Sequence, residues 1–162
     1  MTFMHWSADL DTGISIIDKQ HRRIVAYINA LFEARQSGDV SVIDKVLRKL
    51  VDYTLTHFAF EEKLLDEAEY PYVKAHRRVH QLFARKVGEY MTRAQRGEDI
   101  ADEVLEMLRR WLLHHIREDD ADYVDYASRV ARIQALRPRG PVVHPAARDD
   151  RSFSAAVRRL FA

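Results

Sequence analysis

Histidine stands where a helix would place its core. From His57 to His80 the chain reads HFAFEEKLLDEAEYPYVKAHRRVH, with His57 and Glu61 four residues apart, a Tyr70-Pro71 break, and then His76 and His80 again four apart. Residues at i and i+4 lie one turn above another on the same helix face. Each pair therefore aims two ligand atoms at one point in space. A chain reversal at Pro71 would bring three imidazoles and a carboxylate together from facing helices, which is the geometry of a metal site.

The flanking segments carry the same signature. Ile17, Ile24, Ile28 and Leu31 follow the rhythm of an amphipathic helix that ends near Ser37-Gly38, and His21 lies within its apolar stripe. A second helix, capped by Asp39 or Ser41, continues through Ile43, Val46, Leu47, Leu50 and Thr54 into His57, Phe58, Glu61, Leu64 and Leu65. The third opens near Pro71 and runs His76, Val79, His80, Phe83, Val87 and Tyr90 to about Gly97. The fourth shows Ala101, Val104, Leu105, Leu108, Leu112 and His115, which leaves His114 turned away from the stripe. Four helices joined by short connections predict an all-α, up-down-up-down antiparallel four-helix bundle. A short lead-in with Trp6 and an Asp11-Thr12-Gly13 turn precedes it.

Composition narrows the chemistry. The chain has 162 residues and no cysteine, which excludes disulfides, thiolate metal sites, iron–sulfur clusters and thiol nucleophiles. Histidine and carboxylate chemistry remains. No stretch approaches a membrane span and the N-terminus lacks a signal-peptide pattern, so a soluble, cytoplasmic protein without stable membrane insertion is expected. Basic runs such as Lys45, Arg48 and Lys49 lie opposite the stripes and read as solvated faces. They give no reason to expect nucleic acid.

A single histidine on an apolar face is usually an ordinary core or edge residue. Five of them, His21, His57, His76, His80 and His115, contributed by all four helices, are a different matter. Buried together with Glu61 and left unpartnered, each polar group would cost on the order of 2 kcal/mol or more. An ion relieves that cost. Nitrogen and carboxylate donors suit iron, zinc, copper or nickel and disfavour calcium and magnesium. Five imidazoles exceed the need of one metal with an open position, so two metals are expected, with carboxylates as bridges. Glu61 is one bridge, and the second should come from Glu118-Asp119-Asp120. Spacing alone favours Asp119, at i+4 from His115, over Asp120 at i+5.

The chain resembles the bacterial, single-domain hemerythrins. The matching features are Trp6 and Gly13 ahead of Ile17-Asp18-Lys19-Gln20-His21, the His57-Glu61 pair, the Tyr70-Pro71 turn, the His76-His80 pair, and Trp111-Leu112 leading to His115 and Asp120. They span about residues 3 to 126. The resemblance implies two iron ions with a solvent-derived bridge: one held by His76, His80 and His115, the other by His21 and His57, with Glu61 and Asp120 shared. It thus selects Asp120 where spacing selects Asp119, and it implies a fourth helix loosened near Arg117 or wound as a wider π-type turn. The donor count leaves one coordination position open, on the ion with two histidines. The implied function is reversible dioxygen binding, as carrier, store or sensor input, rather than catalysis. The alternative is a di-iron enzyme acting on peroxide or nitric oxide, and a metal-buffering bundle is a weaker third reading.

The bundle is assigned to residues 1–132 and a basic extension to 133–162. Residues 1–126 carry 18 Lys and Arg against 23 Asp and Glu, whereas 127–162 carry 8 against 2. Three of the four prolines fall in the extension, and Phe153, Ala156, Val157, Leu160 and Phe161 form one face of a short amphipathic segment. That segment offers a surface for a protein partner, for an anionic surface, or for the acidic bundle itself. Trp6, Trp111 and Tyr123 are expected to pack at the bundle ends.

Overall fold

The helices start and stop where local chemistry requires it. The computed structural model describes residues 2–136, and the expectations for the tail from 137 to 162 lie outside the described residues. Helix α1 spans Ser15–Ser37, α2 Val40–Glu67, α3 Val73–Gln95 and α4 Ala101–His114. A π-helical turn, His115–Asp120, and a 3-10 turn, Ala121–Tyr123, then lead into α5, Val124–Leu136. Gly38, at φ 71°, takes the left-handed position that closes α1. Asp39 caps α2 by accepting from the backbone N–H groups of Ser41 at 2.9 Å and Val42 at 3.3 Å.

Short connections make α1 to α4 an antiparallel four-helix bundle, in which α1 packs on α2 and α4, and α2 on α3. Among the described residues there is no strand, and no helix is long and apolar enough to cross a membrane. Two details differ from the sequence expectation. Helix α3 begins at Val73, because Glu69, with φ 52°, through Tyr72 are consumed in reversing the chain. Helix α5 runs to Leu136, past the boundary drawn at Arg132, since no breaker occurs before Pro138.

Two apolar clusters divide the interior. The larger holds Ile24, Ile28, Leu31, Leu50, Phe58, Phe83, Leu108 and Leu112; the smaller holds Ile14, Ile17, Leu64, Leu65, Tyr70, Tyr123 and Ala127. Between them every bundle helix changes to polar residues at the same level: His21 lies between Ile17 and Ile24, Glu61 between Phe58 and Leu64, and His115 between Leu112 and Tyr123. A band of donors is thereby sandwiched between two dry layers. Each fully buried Leu or Ile contributes roughly 1.5–3 kcal/mol toward holding those layers together.

The lead-in is tied down by hydrogen bonds. Met4 N–H donates to Asn29 Oδ1 at 2.8 Å, and Asn29 Nδ2 donates back to Met4 O at 2.9 Å. Asp18 accepts from Thr12 N–H at 2.8 Å, Thr12 O–H at 2.7 Å and Gly13 N–H at 3.2 Å. Arg117 reaches Asp9 at 2.5 Å, which joins the lead-in to the π turn.

Candidate metal centre

The polar band converges. His21 Nε2 lies 3.1 Å from His57 Nε2, and His80 Nε2 lies 3.2 Å from His115 Nε2. Glu61 Oε2 is 3.1 Å from His76 Nε2, 3.2 Å from His80 Nε2 and 3.8 Å from His115 Nε2. Asp120 enters from the opposite side, 3.3 Å from His21 Nε2 and 3.2 Å from His115 Nε2. None of these seven residues is more than 5% exposed. Two donor groups close enough to share an ion result: Glu61, His76, His80 and His115, and, through the same glutamate, His21, His57 and Glu61.

The outer ring nitrogens fix which inner nitrogens carry lone pairs. His57 Nδ1 faces Gln20 Oε1 at 2.8 Å, His80 Nδ1 faces Glu62 Oε1 at 2.8 Å, and His115 Nδ1 faces Asp119 Oδ2 at 3.1 Å. Each of those oxygens accepts, so each Nδ1 is the donor. In the neutral ring the Nε2 lone pair then points inward, as a metal ligand requires.

The π turn explains the two aspartates. Six residues, His115 to Asp120, wind with one residue more than an α-helix would use. Counted past that extra residue, Asp120 occupies the position of an i+4 neighbour of His115, and Tyr123 that of i+7. Asp119 does meet His115, as its spacing suggests, but at the outer nitrogen and only partly buried.

Tyr123 has a role that the sequence reading missed. It is fully buried, and its hydroxyl donates a short hydrogen bond to Glu61 Oε1. The signal was its place eight residues after His115, legible only once the π turn is counted. Trp111 likewise belongs to the centre, stacked on His115 with centroids 4.4 Å apart. Phe58 stacks on His80 at 3.8 Å, and Trp6 lies 6.4 Å from His21. His114 is exposed.

The electrostatics follow from burial and from the crowding of imidazoles against carboxyl groups. Burial lowers His21 to about 4 and holds His57 well below the usual imidazole range despite the Glu61 charge. Burial alone would raise Glu61, yet His57 and the close imidazole nitrogens of His115, His76 and His80 hold it well below the ordinary carboxylate range. Asp120 is pushed well above that range by burial and by the charge on Glu61. Against burial, the Asp120, Asp119 and Glu61 carboxyl groups raise His115 to about 10. Both Asp120 oxygens and His21 Nδ1 are buried without a hydrogen-bond partner among the described residues. Orphaned carboxylate oxygens facing the imidazole nitrogens of His21, His76 and His115 fit a cation, and the all-N/O donor set fits a first-row transition metal.

An antiparallel bundle whose interior carries histidine and carboxylate donors from every helix defines a class: α-helical proteins with a buried candidate site for metal cations. Residues 12–127 match the family model described as hemerythrin HHE cation binding domain, and the chain belongs to the hemerythrin family. It is 52% identical over 125 residues to a bacteriohemerythrin of Pseudomonas paraeruginosa, covering 77% of this chain and 82% of the relative. A bacteriohemerythrin of Stenotrophomonas maltophilia is 50% identical over the same length. The fold matches the crystal structure of a hemerythrin mutant with TM-score 0.75 at 27% identity, covering 79% of this chain and 99% of that one.

Proposed function

We propose that this protein holds two iron ions in its polar band and binds dioxygen reversibly, as a binding protein rather than an enzyme. His76, His80 and His115 would hold one ion, His21 and His57 the other, with Glu61 and Asp120 shared between them. When bound, such an iron pair would supply reversible two-electron redox chemistry toward dioxygen. The observation that carries this reading is the meeting of five inward Nε2 atoms with two buried carboxylates, one of which has both oxygens unpartnered.

The remaining residues keep that arrangement fixed and dry. Tyr123 engages Glu61 Oε1, which leaves Oε2 turned toward His76 and His80. Phe58 and Trp111 hold the imidazole planes of His80 and His115 by stacking. Ile24, Phe83 and Leu112, all buried in the larger apolar cluster, exclude water from one side of the band. Nitrogen-rich ligation suits holding oxygen more than cleaving it.

The test is a spectral cycle. Full-length protein loaded with ferrous iron without oxygen should gain visible absorption in air, lose it under vacuum, and repeat the cycle. Irreversible oxidation at the first exposure, or many turnovers of added peroxide or nitric oxide, would reassign the site to an enzyme.

A further inference from the structure

The inward imidazoles differ in what stands behind them. His80 is backed by the Glu62 carboxylate at 2.8 Å and His115 by the Asp119 carboxylate at 3.1 Å. On the other side, His57 is backed only by the neutral Gln20 amide at 2.8 Å, and the buried His21 Nδ1 has no hydrogen-bond partner among the described residues. The division follows the two donor groups: carboxylates stand behind two of the three histidines in one, and an amide stands behind one of the two histidines in the other.

The carboxylates are well placed for this. Glu62 and Asp119 keep 26% and 22% of their side-chain surface in water, so neither carboxylate is fully desolvated. Glu62 is also oriented, because Arg77 Nε lies 3.3 Å from its other oxygen while the Arg77 guanidinium is anchored on Asp66. The oxygen facing His80 is thereby fixed.

A carboxylate behind an imidazole raises its basicity toward a metal, and losing such a partner typically costs about 10- to 100-fold in affinity. We propose that Glu62, Asp119 and Gln20 are positioning residues that rank the two metal positions, so that the three-histidine position fills first and empties last while the two-histidine position is the exchangeable one. The inference rests on the two-ion reading above. Three imidazoles against two already favour the same order. What the outer residues add is the size of the gap, and the gap is what must be measured.

The probe is Co²⁺ titrated anaerobically into full-length, metal-free protein, followed by visible absorption and calorimetry. Wild-type protein should take up two ions in two resolved steps. Glu62→Gln keeps the shape and an acceptor for His80 but removes the charge; it should weaken the first step about 10- to 100-fold and leave the second unchanged. Gln20→Glu adds the charge behind His57 and should strengthen the second step by a comparable factor, a gain that structural damage cannot produce. Two steps that neither variant moves, or that each variant moves equally, would overturn the ranking. Uptake of fewer than two Co²⁺ per wild-type chain would instead remove the two-ion reading, and this inference with it.

Discussion

Glu61 and Asp120 are both buried, and their surroundings push them in opposite directions. Glu61 is surrounded by nitrogen donors and is held well below the ordinary carboxylate range, whereas burial and the Glu61 charge push Asp120 well above it, toward the form that carries a proton. A cation that replaces that proton satisfies both. Asp120→Asn should therefore lower bound iron below two per chain, while Asp119→Asn should retain both ions with weaker binding, as read by metal analysis after gel filtration. Tyr123→Phe leaves Glu61 Oε1 without its donor in a dry layer. It should destabilise the metal-free protein by about 1–3 kcal/mol in a denaturant titration. An unchanged midpoint would show that Glu61 does not depend on that hydroxyl.

Among the elements, the π turn is the one that sets the register of the site, since it carries Asp120 and Tyr123 round to the face of His115. Because it absorbs one residue, deleting Glu118 should convert His115–Asp120 toward regular α-helix while leaving Asp120 and Tyr123 on the stripe, and metal binding should survive. Inserting one alanine after Glu118 should rotate both off the stripe by about 100° and abolish binding. The pair of variants separates register from local composition, with metal stoichiometry as the readout. The four bundle helices were legible in the sequence because apolar periodicity and caps such as Asp39 are local signals. His21, His57, Glu61, His76, His80 and His115 could be picked out for the same reason, being polar residues on apolar stripes. Asp120 and Tyr123 were not legible from spacing, since an ideal helix assigns Asp119 to the face of His115 and sends Tyr123 elsewhere. Resemblance supplied Asp120, and the aromatic character of Tyr123 marked it only for packing at a bundle end. The hydrogen bonds that His57 and His80 donate to Gln20 and Glu62 depend on how helices face one another and were out of reach for that reason.

For the molecule as a whole, the polar band is a liability that metal turns into an anchor. Five imidazoles and two carboxyl groups lie between apolar clusters that would otherwise be continuous, so metal-free protein should melt well below the loaded form, with a midpoint that rises with free metal. Protons compete with metal for every one of these donors. Affinity should accordingly fall as pH drops below the ordinary imidazole value of about 6.5, and loaded protein should release its ions on acidification and regain them on neutralisation. Metal retention that did not vary between about pH 4 and pH 7 would be inconsistent with imidazole ligation. The most direct test of the central claim is the amount of iron bound per chain after anaerobic ferrous loading and removal of free metal. Two irons per chain are predicted; a plateau at one, or at none, would contradict the account.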